Sequence, residues 1–112
     1  MSAWEQLTIY ITESDRWQGK PLYSALVEAA RQQRLAGATV NRGVEGYGVS
    51  QHHQIHTASI MELANLPIVV TIVDRPEAIA QFLPLVKEMV TQGLAIQETV
   101  NVVHHEPAEK SR

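Results

Sequence analysis

One arrangement of apolar residues, written twice, constrains this chain more than any other feature. Residues 7–12, LTIYIT, alternate, with Leu7, Ile9 and Ile11 on one side. A period of two is the mark of a half-buried strand. After a polar turn comes Pro21, which suits the first turn of a helix because its missing N–H would have no partner there. Leu22, Leu26, Ala29, Ala30 and Gln33 then follow at helical spacing. Gly37 reads as the helix stop, and the glycine-interrupted run ATVNRGVEGYG, residues 38–48, reads as extended.

The second half repeats the scheme. Residues 68–73, IVVTIV, are apolar on both faces, as a central strand should be. Asp74 reads as a helix cap with Pro76 near the first turn. Ile79, Phe82, Leu83, Val86, Met89 and Val90 form a wide apolar stripe. Pro84 falls inside that helix and predicts a bend; Gly93 closes it. Residues 96–103, IQETVNVV, are the last strand.

Strand–helix–strand twice over, with right-handed crossovers, puts both helices on one face of a four-stranded antiparallel sheet. The predicted class is α+β, a ferredoxin-like βαββαβ sandwich with the first and third strands central. Residues 1–112 read as one domain, with the core at 7–103 and a polar tail, HHEPAEKSR, at 104–112. The second sheet face, carrying Thr8, Tyr10 and Thr12, has no helix to cover it. A partly apolar bare face predicts self-association.

Composition excludes several classes. The net charge is −3 with no basic cluster, which argues against nucleic-acid partners, since phosphate backbones are held by Lys and Arg. There are no cysteines, so disulfides and thiolate chemistry are excluded. No basic region followed by an apolar block opens the sequence and no apolar run reaches ~20 residues, so neither a signal peptide nor a spanning helix is expected; the expected location is cytoplasmic.

Three segments are candidates for chemistry. ESDRWQGKP, residues 13–21, nearly spells a phosphate-binding loop, but Ser14 stands where that motif needs its first Gly and Pro21 where it needs a hydroxyl. A helix starting near Lys20 still offers unpaired N–H groups to an anion. Lys20 and Arg16 would add charge and Trp17 a flat face, while Glu13 and Asp15 would repel a phosphate. Alternatively the segment is a strand-to-helix turn clamped by ion pairs. In NRGVEGYG, Gly43, Gly46 and Gly48 permit close approach of a ligand or a second subunit, with Arg42 and Glu45 beside them; a twisted strand end with a bulge explains the same residues. Residues 47–66 exceed what a hairpin needs, and such loops are functional more often than not. The stretch contains His52, His53 and His56, but no recognised metal-ligand spacing completes them, and His104 and His105 lie in another segment. Ser14, Ser24, Ser50 and Ser59 lack a nucleophile-elbow context.

The segments IYITESDRWQGKPLYSALVEAAR, GATVNRGVEGYG, IHTASI, LPIVVTIVDRPEAIAQFLPLV and MVTQGLAIQETVNVV together closely resemble the PII-like family, long catalogued as a domain of unknown function. The resemblance runs from about residue 7 to residue 103. It implies a compact homotrimer with sheets facing inward and ligand clefts between subunits. Related PII signalling proteins bind adenine nucleotides in those clefts and use the long loop to touch a target enzyme or membrane transporter. Residues 47–66 match that loop. One departure stands out: the basic, glycine-rich phosphate segment of PII proteins is replaced here by TQGLAIQE, residues 91–98, without Lys or Arg.

The resulting expectation is a non-enzymatic signalling module that binds a small anionic metabolite, an adenine nucleotide in the first instance. Arg16, Lys20 and Arg42 would meet the anion. Gly43, Glu45, Gly46 and Gly48 would shape the approach, Trp17 or Tyr47 would stack, and His56 and Thr57 would latch the loop. The rivals are a metal-binding trimer resembling divalent-cation tolerance proteins, and a small interface enzyme using Glu13, Asp15 and Glu45 as acid/base groups.

Overall fold

The computed structural model describes residues 2–48 and 65–107. In chain order they form β1 (Ser2–Thr12), β2 (Arg16–Trp17), β3 (Lys20–Pro21), α1 (Leu22–Gln32), β4 (Gly37–Arg42), β5 (Pro67–Asp74), α2 (Pro76–Met89) and β6 (Leu94–Val102). β4, β5, β1 and β6 lie in that order in one four-stranded sheet, and every pairing is antiparallel. The ferredoxin-like α+β architecture is present, with β1 and β5 central.

Strand register explains where the core sits. Leu7, Ile9 and Ile11 stand opposite Ile72, Val70 and Ile68, and none of the six is more than 1% exposed. α1 adds Leu22, Ala25, Leu26 and Ala30 to the same cluster, and α2 adds Ile79, Phe82, Val86 and Met89. Both helices therefore cover one face. Burying each large aliphatic side chain stabilises by about 1.5–3 kcal/mol, and truncating Phe82 to Ala should cost about 3–5 kcal/mol.

On the other face, Thr8 and Tyr10 lie between Thr71 and Val69 of β5 and Ile96 and Leu94 of β6. No described helix covers them, and Leu94 and Ile96 remain 47% and 41% exposed.

Several local expectations change. β1 begins at Ser2 because residues 2–6 pair with the far half of β6, from Ser2 opposite Val102 to Gln6 opposite Glu98. β4 stops at Arg42 rather than continuing to 48. There Gly43 donates its N–H to the Pro67 carbonyl at 2.7 Å, and a Cβ on Gly43 would sit 2.8 Å from the Pro67 ring. α1 ends at Gln32, and the left-handed residue behind it is Arg34 (φ 61°), while Gly37 opens β4. Asp74 ends β5 rather than capping α2. Its Oδ1 accepts the Arg75 N–H at 2.6 Å and its Oδ2 the Ala36 N–H at 2.9 Å, clipping the α1–β4 turn to the end of β5. α2 runs uninterrupted through Pro84 and ends at Met89, four residues before Gly93. No helix among the described residues is long and apolar enough to cross a membrane.

Candidate functional site

ESDRWQGKP folds as a miniature hairpin. Gln18 and Gly19 have φ of 51° and 83°, the two left-handed residues that a type I′ turn requires, and Trp17 pairs with Lys20 across it. Asp15 Oδ2 accepts the Thr12 N–H at 2.8 Å, and the Asp15 carbonyl accepts the Leu22 N–H at 2.8 Å. One of the donors that a helix start would offer an anion is thereby occupied. Trp17 packs, half-buried, against the core. Arg16 and Lys20 are exposed on the hairpin.

Arg42 is engaged elsewhere. Its Nη2 and Nε donate to Glu13 Oε2 at 2.6 and 3.0 Å, joining the ends of β4 and β1. The hydrogen bond to Glu13, and then its charge, hold the Arg42 guanidinium above its ordinary pKa. A ligand anion would have to compete with that carboxylate.

The ends of the 49–64 segment are clasped to the sheet. Asn65 Oδ1 accepts from the Ser14 hydroxyl at 2.7 Å and from the Ser14 N–H at 3.1 Å, and the Leu66 carbonyl accepts the Glu13 N–H at 2.9 Å. Beside this clasp opens a cleft of about 330 Å³. Gly43, Glu45, Gly46 and Tyr47 form one wall; Tyr10 and Leu94 come from the uncovered sheet face, and Asn65 from the clasp. Tyr47 is 93% exposed. Gly46 crosses the Pro67 ring so closely that a Cβ would lie 3.1 Å from it. The close approach that these glycines permit is thus to Pro67 within the chain itself.

The cleft gathers four of the expected ligand-binding residues, Gly43, Glu45, Gly46 and Tyr47, and omits Arg16, Trp17, Lys20, Arg42 and Gly48 from its lining. His56 and Thr57 lie outside the described residues, as do His52, His53, Ser50 and Ser59. The sequence put Tyr10 on the bare sheet face but not at a ligand site; nothing local marks Asn65 or Leu94. Chemically, two phenol rings and Leu94 suit a flat ring, while Glu45 is the one charged side chain among the described lining residues. Among the described residues no group of three His, Cys, Asp or Glu could hold a metal. Of the three acid/base candidates, Glu45 borders the cleft, whereas Glu13 pairs with Arg42 and Asp15 bonds Thr12.

The family described as "Uncharacterized ACR, COG1993", DUF190, matches residues 4–102, a span that takes in every strand and helix above but for the first two residues of β1. The UPF0166 protein of Aquifex aeolicus is 37% identical over 98 residues, covering 88% of this chain and 91% of the relative. The UPF0166 protein of Methanocaldococcus jannaschii is 32% identical over 105 residues, covering 92% and 94%. The repeated strand–helix–strand unit and the clasped excursion at 48–65 are therefore those of a chain that belongs to the DUF190 family.

Proposed function

We propose that this chain is a non-enzymatic, PII-like regulatory module that binds a small anionic ligand, in the first instance an adenine nucleotide. The observation that carries the reading is the cleft at the base of the 49–64 segment, where Tyr47, almost fully exposed, lines the same space as Tyr10 and Leu94. Two phenol rings lining one cleft favour a planar base by stacking. The adjacent glycine-rich wall brings backbone within reach of the base edge.

The bare sheet face supports a homotrimer. Leu94 and Ile96 flank Tyr10 and Thr8 there, and covering them with identical copies removes apolar surface from water. Assembly also answers the charge problem. Within one subunit the described cleft walls hold no Lys or Arg, so ligand phosphates meet the exposed Arg16 and Lys20 of a neighbouring copy. The segment between Tyr47 and Leu66 leaves from the rim of the same cleft. A protein target that reads this segment, an enzyme or a membrane transporter, would then sense ligand occupancy through differential contacts.

Calorimetric titration with AMP, ADP and ATP tests the reading, alongside sedimentation of the free protein. Binding that Tyr47→Ala weakens about tenfold supports it. Silence across the three nucleotides, or a lone subunit in dilute solution, rules it out.

A further inference from the structure

A second cleft lies at the opposite end of β1, roughly 25 Å away along the strand. It is wider, about 610 Å³, and open to solvent. The start of β1, the β5–α2 junction and the segment after β6 meet there, contributing Ser2, Trp4, Arg75, Glu77, His104 and His105.

Trp4 organises this end. It is 8% exposed although it stands beyond the reach of β5, which pairs with β1 only from Glu5 onward. Arg75 Cζ sits 5.7 Å from the centre of the Trp4 ring, within range of a cation–π contact. The His105 ring approaches the same indole edge-on, with centres 5.0 Å apart and planes at 70°. The first residues of the tail are therefore not loose: His105 returns to the first strand and helps to wall the cleft.

The polar groups gathered here are almost all donors. Arg75 brings a guanidinium fork and Ser2 a hydroxyl, and each imidazole can donate at least one N–H. Pro76 and Glu77 place the start of α2 in the wall, and no side chain caps that helix, so the positive end of its dipole lies at the cleft. Three carboxylates stand nearby. Glu77 lines the cleft, whereas Asp74 is turned to the Arg75 and Ala36 N–H groups, and Glu106 lies 3.9 Å from His104 Nε2, outside the lining.

We infer that this cleft is a binding site for a phosphate monoester, separate from the nucleotide cleft proposed above. Donors arrive from the guanidinium, two imidazoles, a hydroxyl and a helix start. That spread matches a tetrahedral group with several acceptor oxygens better than a planar carboxylate, for which the Arg75 fork alone would suffice. The volume falls in the range of small-metabolite pockets, leaving room for a substituent beyond the phosphate.

The test uses inorganic phosphate and phenyl phosphate on the full chain, with chloride at matched ionic strength as the blank. In two-dimensional NMR the amides of Arg75, Glu77 and Ala78 and the His105 ring should shift together and saturate, with millimolar affinity for inorganic phosphate and tighter binding of the ester. In a Trp17→Phe background the fluorescence of Trp4 should report the same curve. Arg75→Gln should weaken binding about tenfold, Arg75→Lys less, and His105→Gln in part, while Lys87→Gln, an exposed cation on α2 outside this lining, should change nothing. Shifts no larger than those from chloride overturn the assignment, as do undiminished binding by Arg75→Gln or a response centred on other cations. Should a variant fold poorly, the shift map of the parent chain decides alone. Nucleotide binding at the Tyr47 cleft is read separately, so either site can fail without the other.

Discussion

At its Thr12 end, β1 borders a cleft walled by Tyr10, Tyr47 and Leu94, where Glu45 is the one charged side chain among the described lining residues. At its Ser2 end it borders a cleft in which Arg75 and His105 flank Trp4 and His104 joins the wall. One continuous strand thus separates an aromatic site from a donor-rich one. The difference comes from what each sheet end recruits. The first end takes its wall from the excursion between β4 and β5, which opens on three glycines and Tyr47. The second takes its groups from the β5–α2 junction and from the chain beyond β6. Strands fix the spacing, and the connections fix the chemistry.

Three changes would break or sharpen this contrast. The largest effect is expected from Asp74→Ala. It strips acceptors from the Arg75 and Ala36 N–H groups and should cost roughly 2–4 kcal/mol, two charge-assisted bonds discounted for partial exposure. The urea midpoint should fall, and phosphate affinity should fall with it, while nucleotide binding by the remaining folded protein is retained. Loss of both together would mean that the two ends are not independent.

Gly93→Ala acts at the other end. A Cβ there would sit 2.7 Å from the Tyr10 carbonyl oxygen and 3.1 Å from Ile11 Cγ2. The forced separation of β6 from β1 should cost about 1–3 kcal/mol. It should disturb the cleft beside Tyr10 and leave the phosphate-induced shifts at Arg75 intact. Thermal unfolding and the two titrations, run on one preparation, check both halves.

The smallest effect is expected from Glu13→Gln. Its partner Arg42 is an exposed cation, so the lost stability should be slight and should vanish as added salt screens the pair. Its value lies in ligand binding. With Glu13 neutral, Arg42 loses its carboxylate partner, yet it does not line the cleft, so nucleotide affinity should stay unchanged. A rise would bring Arg42 into the binding site.

The fold was legible because period-two and helical patterns carry their own geometry. Leu7, Ile9 and Ile11 announce the covered face of β1 from three positions alone. Punctuation was harder to read. Gly37 and Gly93 look like helix stops, yet the helices end earlier, since a helix also ends where its apolar stripe runs out. Residues 2–6 carry no alternation of apolar residues, so only their partner in β6 reveals them as strand. Of the aromatic cleft, the glycine wall and Tyr47 were visible because they are contiguous in sequence. The donor-rich cleft was not. Trp4, Arg75 and His105 are far apart along the chain, and no local motif joins residues that only a sheet end brings together. Arg16 and Lys20 stand on a hairpin and Arg42 in an ion pair with Glu13, so within one subunit the cleft lining takes in none of the three.

The clasps at either side of residues 49–64 have a practical consequence. Gly43 to Pro67, Glu13 to Leu66 and Ser14 to Asn65 fix where the chain departs and where it returns. Closing a longer connection between fixed points costs little more than closing a short one, because the penalty grows only with the logarithm of its length. The site is therefore a natural splice point: a foreign peptide exchanged for the native segment would be held at its ends by these same bonds.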